Sequence, residues 1–218
     1  MKYLFFFIGL VTFNITISQE LEAQAYVGEV VSMNDLFSKQ LRSKSGNEIK
    51  GNPYLYKEWK KNGIVISKGN RHQYHAINYD IYRDQVVVLK SKDSVFIIDK
   101  YLIDGFVINN RKFSQYKGSF YEELYSGDKA SLLKKYETKI IEGMFNPTDA
   151  TRKPDRLNIV DDYYIKKGDN IVKFSPSKKT LSETFGISQG ELKSYLKKNK
   201  LSYKNEKDLT EIFKHYNQ

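Results

Sequence analysis

The residues of this chain whose types could do chemistry begin with two histidines. His72 and His75 stand in "HQYH", a spacing that would let both rings reach one metal ion if the run were helical. The run follows a Gly-Asn turn and is rich in Tyr and Ile, so it reads as a strand, where odd spacing sends the two rings to opposite faces. His75 then shares an apolar face with Ile77, Tyr79 and Ile81, while His72 goes with Asn78 and Asp80; no metal ligand set is assigned. Paired carboxylates would suit a hydrolase, one as acid and one as base. Glu122 and Glu123 are adjacent on a presumed strand and diverge, and Asp161 and Asp162 lie at the edge of a loop. Asp80, Asp84, Asp99 and Asp104 recur near strand ends, where Asp is a favoured turn residue. The chain has no G-x-S-x-G elbow, no Gly-rich phosphate loop and no cysteine. The last absence excludes disulfides, thiolate metal sites and cysteine nucleophiles. No catalytic and no cofactor-binding residue is assigned.

A third set suits binding. Tyr54, Tyr56 and Trp59 cluster before the main run of strands, and Tyr163 with Tyr164 precede a hairpin; lysines lie close to both groups. Exposed rings stack on sugars or anchor a partner protein, and neighbouring lysines favour an acidic partner. These five are the candidate ligand or partner contacts, against the plain alternative that half or more of the rings fill a core. Trp59, the only tryptophan, is expected to be a core anchor.

The fourth is "LSETFGISQGELKSYLKKNK", Leu181 to Lys200, which has the helix, corner, helix form of a DNA reader. Its second helix offers Gln189, Glu191, Lys193 and Ser194 but no arginine, and a carboxylate near the groove is repelled by phosphate. The N-terminus argues further against it. Lys2, an apolar run from Tyr3 to Ile17 and then polar "SQE" follow the order of a secretory signal, with cleavage expected after Ser18 or, alternatively, after Ala25. The run is short of the ~20 residues that span a bilayer, so no transmembrane segment is expected in the mature form. An exported chain is kept from the genome, and no nucleic-acid partner is expected.

These residues must be positioned by β-structure. From Gly63 to about Tyr136, β-prone runs alternate with turn clusters at the spacing of an antiparallel meander: "GIVIS", "HQYHAINYDIY", "QVVVLKS", "VFIID", "FVI", "KFSQY", "FYEELY" and "SLLKKY". Such a meander must bend or form an open barrel to bury its face. The expected organisation is a signal peptide at 1–18, an N-terminal segment and meander at 19–142, a linker or exposed loop at 143–158 around two prolines, and a hairpin plus three short helices at 159–218. "YYIKKGDNIVKF" is the hairpin, turning at Gly168 and Asp169. Ser188 with Glu191 marks a helix start flanked by the apolar pair Ile187 and Leu192. Asn205 caps a helix in which Leu209, Ile212, Phe213 and Tyr216 form one stripe. The fold class is α+β, a curled antiparallel meander followed by a β-hairpin and a short C-terminal helical tail.

Thirty-six Lys+Arg against 26 Asp+Glu give a formal charge of +10, mostly from lysine. Phosphate and base recognition favour the arginine fork, so the excess reads as a solvated cationic surface suited to acidic partners. The stretches "GNPYLYKEWKKNGIVI", "INYDIYRDQVVVL", "YYIKKG" and "LKKNKLSYKNEKDLTEIFKHYN" resemble a family of secreted, β-rich hypothetical proteins of Bacteroidota-type bacteria. The resemblance implies an exported β-rich protein and supplies no catalytic residue. The sequence thus leads to an expectation of an exported, non-enzymatic module, periplasmic or at the cell surface, binding an envelope protein or acidic polysaccharide. The alternative is a carbohydrate-active or other hydrolase using carboxylates at the meander edge.

Overall fold

The computed structural model describes residues 28–33, 49–59 and 61–218. The expected signal, its two cleavage points and a helical turn after Asn34 lie outside the described residues. Among those described, the strands are β1 (Gly28–Ser32), β2 (Ile49–Lys50), β3 (Gly63–Ser67), β4 (Asn70–Tyr74), β5 (Ile77–Asp80), β6 (Gln85–Ser91), β7 (Ser94–Ile98), β8 (Gly105–Ile108), β9 (Arg111–Tyr116), β10 (Ser119–Tyr125), β11 (Ser131–Ile141), β12 (Phe145–Asn146), β13 (Thr151–Arg152), β14 (Asp155–Lys167) and β15 (Asn170–Phe174). Three helices follow: α1 (Lys178–Phe185), α2 (Gln189–Asn199) and α3 (Glu206–Tyr216).

The architecture is α+β, as the strand and helix patterning implies, and the described strands are divided between two main sheets and the small β12–β13 pair. The long sheet has the order β15-β14-β11-β10-β9-β8-β3-β4, with β2 parallel to β14. The smaller has the order β1-β7-β6-β5. The chain therefore leaves the long sheet after β4, builds β5 to β7 and returns at β8 beside β3. The run 72–82 is not the single strand that its composition suggests. It breaks at Ala76, which has φ 52°, so His75 falls in an exposed bend while Ile77, Tyr79 and Ile81 stay buried. Two-residue hairpins at Lys68–Gly69, Asn109–Asn110 and Lys117–Gly118 all have positive φ at both central positions, which matches the turn twist to that of the strands.

One face of the long sheet carries both cores. At its β3–β10 end Val65, Phe106, Ile108, Phe113 and Phe120 pack against Ile77, Tyr79, Val86 and Ile98 of the small sheet. At its β11–β15 end Leu132, Ile165 and Phe174 pack against the helices through Leu181, Leu192, Leu196 and the α3 stripe Leu209, Ile212, Phe213 and Tyr216. The helix ends follow their local chemistry. Gly186 closes α1 at φ 68°, the Ser188 hydroxyl accepts from Glu191 N–H at 3.1 Å, and the Asn205 amide oxygen accepts from Lys207 and Asp208 N–H. Ile187 and Leu192 both join the helical core.

The stretch 143–158 is not a loop throughout. β14 already begins at Asp155, and β11 and β14 pair without a break from Ser131↔Lys166 to Ile141↔Arg156. Residues 143–154 are the tip of that long hairpin, closed by the small β12–β13 pair. Pro147 lies in the turn between β12 and β13 and Pro154 just before β14, so neither interrupts the β11–β14 ladder.

Candidate functional site

Strand parity sorts the polar residues into two constellations. The first is a seam on the inner face, where the two cores meet. Arg111 lies on the same side of β9 as Phe113, Glu122 on the same side of β10 as Phe120, and Lys134 and Tyr136 on the same side of β11 as Leu132. Arg111 donates from Nε and Nη2 to the two Glu122 oxygens, each at 2.6 Å. The Tyr136 hydroxyl donates to Glu122 Oε2 at 2.7 Å and also accepts from Arg111. The guanidinium sits among the rings of Tyr56, Phe113 and Tyr136, within 6 Å of each centroid. Two residues back along β11, Lys134 reaches Glu206 at 2.7 Å and Asp161 at 3.2 Å, and the Tyr163 hydroxyl donates to the same Glu206 oxygen at 3.0 Å.

The seam joins the N-terminal segment, four strands and the first residue of α3. Its charges are mutually satisfied. Burial works against the Lys134 ammonium, but Glu206 and Asp161 outweigh it and raise its pKa. Burial likewise opposes ionisation of Glu206, yet Lys134 and Tyr163 bring its pKa below the usual value. Burial, followed by Glu122, pushes the Tyr136 phenol well up, so it stays a neutral donor. Both Glu122 oxygens are occupied. The arrangement holds ion pairs together: Glu122 is buried against Arg111, while Glu206 and Asp161, 39 and 41% exposed, share Lys134.

The second constellation is the outer face of the long sheet. Both hydrophobic cores draw on the inner positions, and no described helix or strand joins the outer ones in either core. Tyr116, Tyr121 and Tyr164 form a row there, with centroids 6.1 Å and 5.3 Å apart and planes tilted by 55° and 79°. The rings are half-buried, and Leu133 between β10 and β14 is fully buried. Lysines frame the row: Lys166 stands 5.3 Å from the Tyr116 centroid and Lys135 5.9 Å from that of Tyr121. Lys112 and Lys135 are paired with Glu123 and Glu137, and Lys173 with Asp162. Among the described residues, Lys166 has no ion-pair partner. Burial and the hydrogen bond to Glu123 push the Tyr116 phenol up to about 12. A separate groove of about 400 Å3 beside α2 is lined by Lys178, Lys193, Lys197 and Lys204 with Leu196 and Tyr203.

The five aromatic candidates do not form one site. Tyr54 is buried, bridged to Asp80 of β5 and edge-on to Trp59 at 4.7 Å; burial, with the Asp80 carboxylate, pushes its phenol up to about 12. Trp59 is half-buried against that ring. Tyr56 and Tyr163 lie at opposite ends of the seam, and Tyr164 alone reaches the outer row. The residues missed from the sequence, Arg111, Lys134, Tyr136 and Glu206 in the seam and Tyr116 and Tyr121 outside, left one signal. Charged side chains fall at the apolar parity of β9, β10 and β11, which marks them as inward-facing and paired. His75 Nδ1 is bonded to Asn62 Oδ1 at 3.0 Å, and among the described residues no three His, Cys, Asp or Glu side chains gather as a metal site. None of the described helices is long and apolar enough to cross a membrane. Comparison with known protein families, with curated proteins and with solved structures finds no match to this chain, so the reading of these two constellations rests on their geometry.

Proposed function

We propose that this protein is an exported, non-enzymatic module of the cell envelope that binds an acidic polysaccharide along the outer face of its long sheet. The observation that carries the reading is the row Tyr116, Tyr121 and Tyr164 with Lys135 and Lys166 over its rings. Phenol rings offer apolar faces to the C–H side of sugar rings, and ammonium groups beside them attract carboxylate or sulfate substituents. Rings tilted against one another suit a single flexible chain rather than a flat crystalline surface. The lysine-lined groove beside α2 adds cationic surface of the same kind. A binding rather than hydrolytic role is supported by the seam, where Glu122 is engaged by Arg111 and Glu206 and Asp161 by Lys134. The membership suggested by the sequence resemblance, and the location outside the cytoplasm, belong to this proposal.

The test is affinity electrophoresis in gels containing alginate or polygalacturonate, with dextran as the neutral control. The acidic gels should retard the protein. Tyr121→Ala/Tyr164→Ala should weaken retardation by roughly tenfold, as expected for losing two stacking rings. Equal retardation of wild type and double variant, or none in any acidic polymer, refutes this assignment. Release of reducing sugar from either polymer would favour the hydrolase instead.

A further inference from the structure

We propose that the tip of the β11–β14 hairpin is a lipid-docking element that seats the apolar band behind its polar turn in an anionic bilayer surface. The tip lies away from the tyrosine row, and the inference does not depend on the polysaccharide reading. Half of the large hydrophobic residues that are exposed among the described residues fall within six positions: Ile140, Ile141, Met144 and Phe145, at 42, 53, 75 and 60% exposure. Core packing along this hairpin ends at Tyr136 and Ile159, and beyond them β2 pairs with Asp155–Arg156 along one edge. Beyond them the ladder continues to Ile141↔Arg156 and then into the tip.

Two features select a bilayer as the occupant. Ile140 and Ile141 are consecutive on one strand and so point to opposite faces, and both are exposed. Met144 and Phe145 follow just before the polar turn at 147–150, so apolar groups on both faces form a band behind the end of the hairpin. A protein partner docks on one face; a fluid hydrocarbon phase contacts every side of an inserted tip. The second feature is charge. Lys139, Lys153 and Arg156 flank the apolar band, all exposed and, among the described residues, without an ion-pair partner, whereas Glu142 is bonded to Arg152 at 3.3 Å and Asp149 of the turn accepts from Thr151. An apolar band with three free cations beside it matches hydrocarbon beneath anionic headgroups.

The tip is also held in shape. Asp155, fully buried, accepts from Gly143 N–H at 2.8 Å, and Arg152 Nε donates to the Gly143 carbonyl at 3.0 Å. A Cβ at Gly143 would overlap the Lys153 carbonyl oxygen, so the close approach of the two strands requires glycine there. The exposure of Met144 and Phe145 is thus built into a fixed backbone.

The experiment uses the full chain with sedimented vesicles of phosphatidylcholine alone and of phosphatidylcholine mixed with phosphatidylglycerol. Because a protein of charge +10 adsorbs to anionic surfaces in general, the decisive comparison is between tip variants of closely similar charge elsewhere. Wild type should bind the phosphatidylglycerol vesicles, and Met144→Leu/Phe145→Leu should bind as well. Met144→Ser/Phe145→Ser, with the charge unchanged and the same thermal midpoint, should lose at least about tenfold in partitioning. Lys139→Ser and Lys153→Ser should each lose up to about fivefold at low salt. With Trp59→Phe as background, tryptophan at position 145 should be quenched by lipids brominated on the acyl chain. Equal binding of the serine variant, absence of quenching, or no vesicle binding overturns the proposal. Crosslinking of the tip to an envelope protein without vesicle binding overturns it in favour of a protein partner.

Discussion

Glu122→Leu should destabilise the protein chiefly by stranding Arg111. Glu122 is 7% exposed and accepts two charge-assisted bonds of 2.6 Å from Arg111 and one of 2.7 Å from Tyr136. Breaking a buried ion pair by removing one partner costs about 3–5 kcal/mol, because the other charge is left without compensation. Arg111 is 29% exposed, so water can return to part of the guanidinium and the expected loss is about 2–3 kcal/mol. Arg111→Met strands the deeper carboxylate and should cost more, about 3–5 kcal/mol. In Arg111→Met/Glu122→Leu both charges are gone, and the remaining loss is the Tyr136 hydroxyl's acceptor, about 1 kcal/mol. The double variant should therefore be more stable than either single one, with a coupling of at least about 3 kcal/mol. Urea unfolding followed by far-ultraviolet circular dichroism and by Trp59 fluorescence measures all four proteins. In thermal melts Glu122→Leu should lower Tm by about 4–12 °C for a chain of this size. Single variants costing under about 1 kcal/mol, or a double variant equal to the sum of the singles, would refute the claim that the seam is a desolvated, mutually dependent network.

Three further outcomes follow from the packing and the charges. Phe213 is fully buried between Phe174 and Phe185, so Phe213→Ala should cost about 3–5 kcal/mol in urea unfolding; an intact Tm in that variant, or in a chain lacking 205–218, would mean that α3 is not part of the core. Glu206 has a lowered folded pKa, so its stabilisation is present above the unfolded value of about 4.3 and is lost as pH falls through the lower folded value. Glu206→Gln should accordingly be less stable than wild type near neutrality, by under about 1 kcal/mol at this exposure, with the gap closing in strong acid; a constant gap would show that Lys134 is not its cause. Ser188→Ala should cost about 1 kcal/mol through the lost N-cap bond to Glu191, which urea unfolding would reveal, whereas no loss would mean that solvent caps α2 as well as the hydroxyl does.

Much of the fold was legible because its signals are local. The paired Asn109–Asn110 and the Gly168–Asp169 turn call for hairpins wherever they occur, Ser188 and Asn205 supply acceptors for free N–H groups, and the α3 stripe repeats at helical spacing. Only the first half of β14 was hard to see, since Asn158, Asp161 and Asp162 interrupt Leu157, Ile159 and Val160 just after Pro154. The break at Ala76 was invisible because an alanine at positive φ carries no compositional mark; only the different destinations of β4 and β5 require it.

The sequence by itself determined the antiparallel β-character, the helical tail and its caps, the cationic balance and the absence of thiol chemistry, since each follows from residue type and near-neighbour spacing. Only the tertiary structure decided which strands share a sheet, that Arg111, Glu122, Lys134 and Glu206 form one seam, and that Tyr164 faces outward with Tyr116 and Tyr121 while Tyr163 faces in. Those relations join residues up to 95 positions apart, from Arg111 to Glu206. Strand parity says which side chains share a face, but the face that becomes the interior is chosen by the small sheet and the helices that cover it.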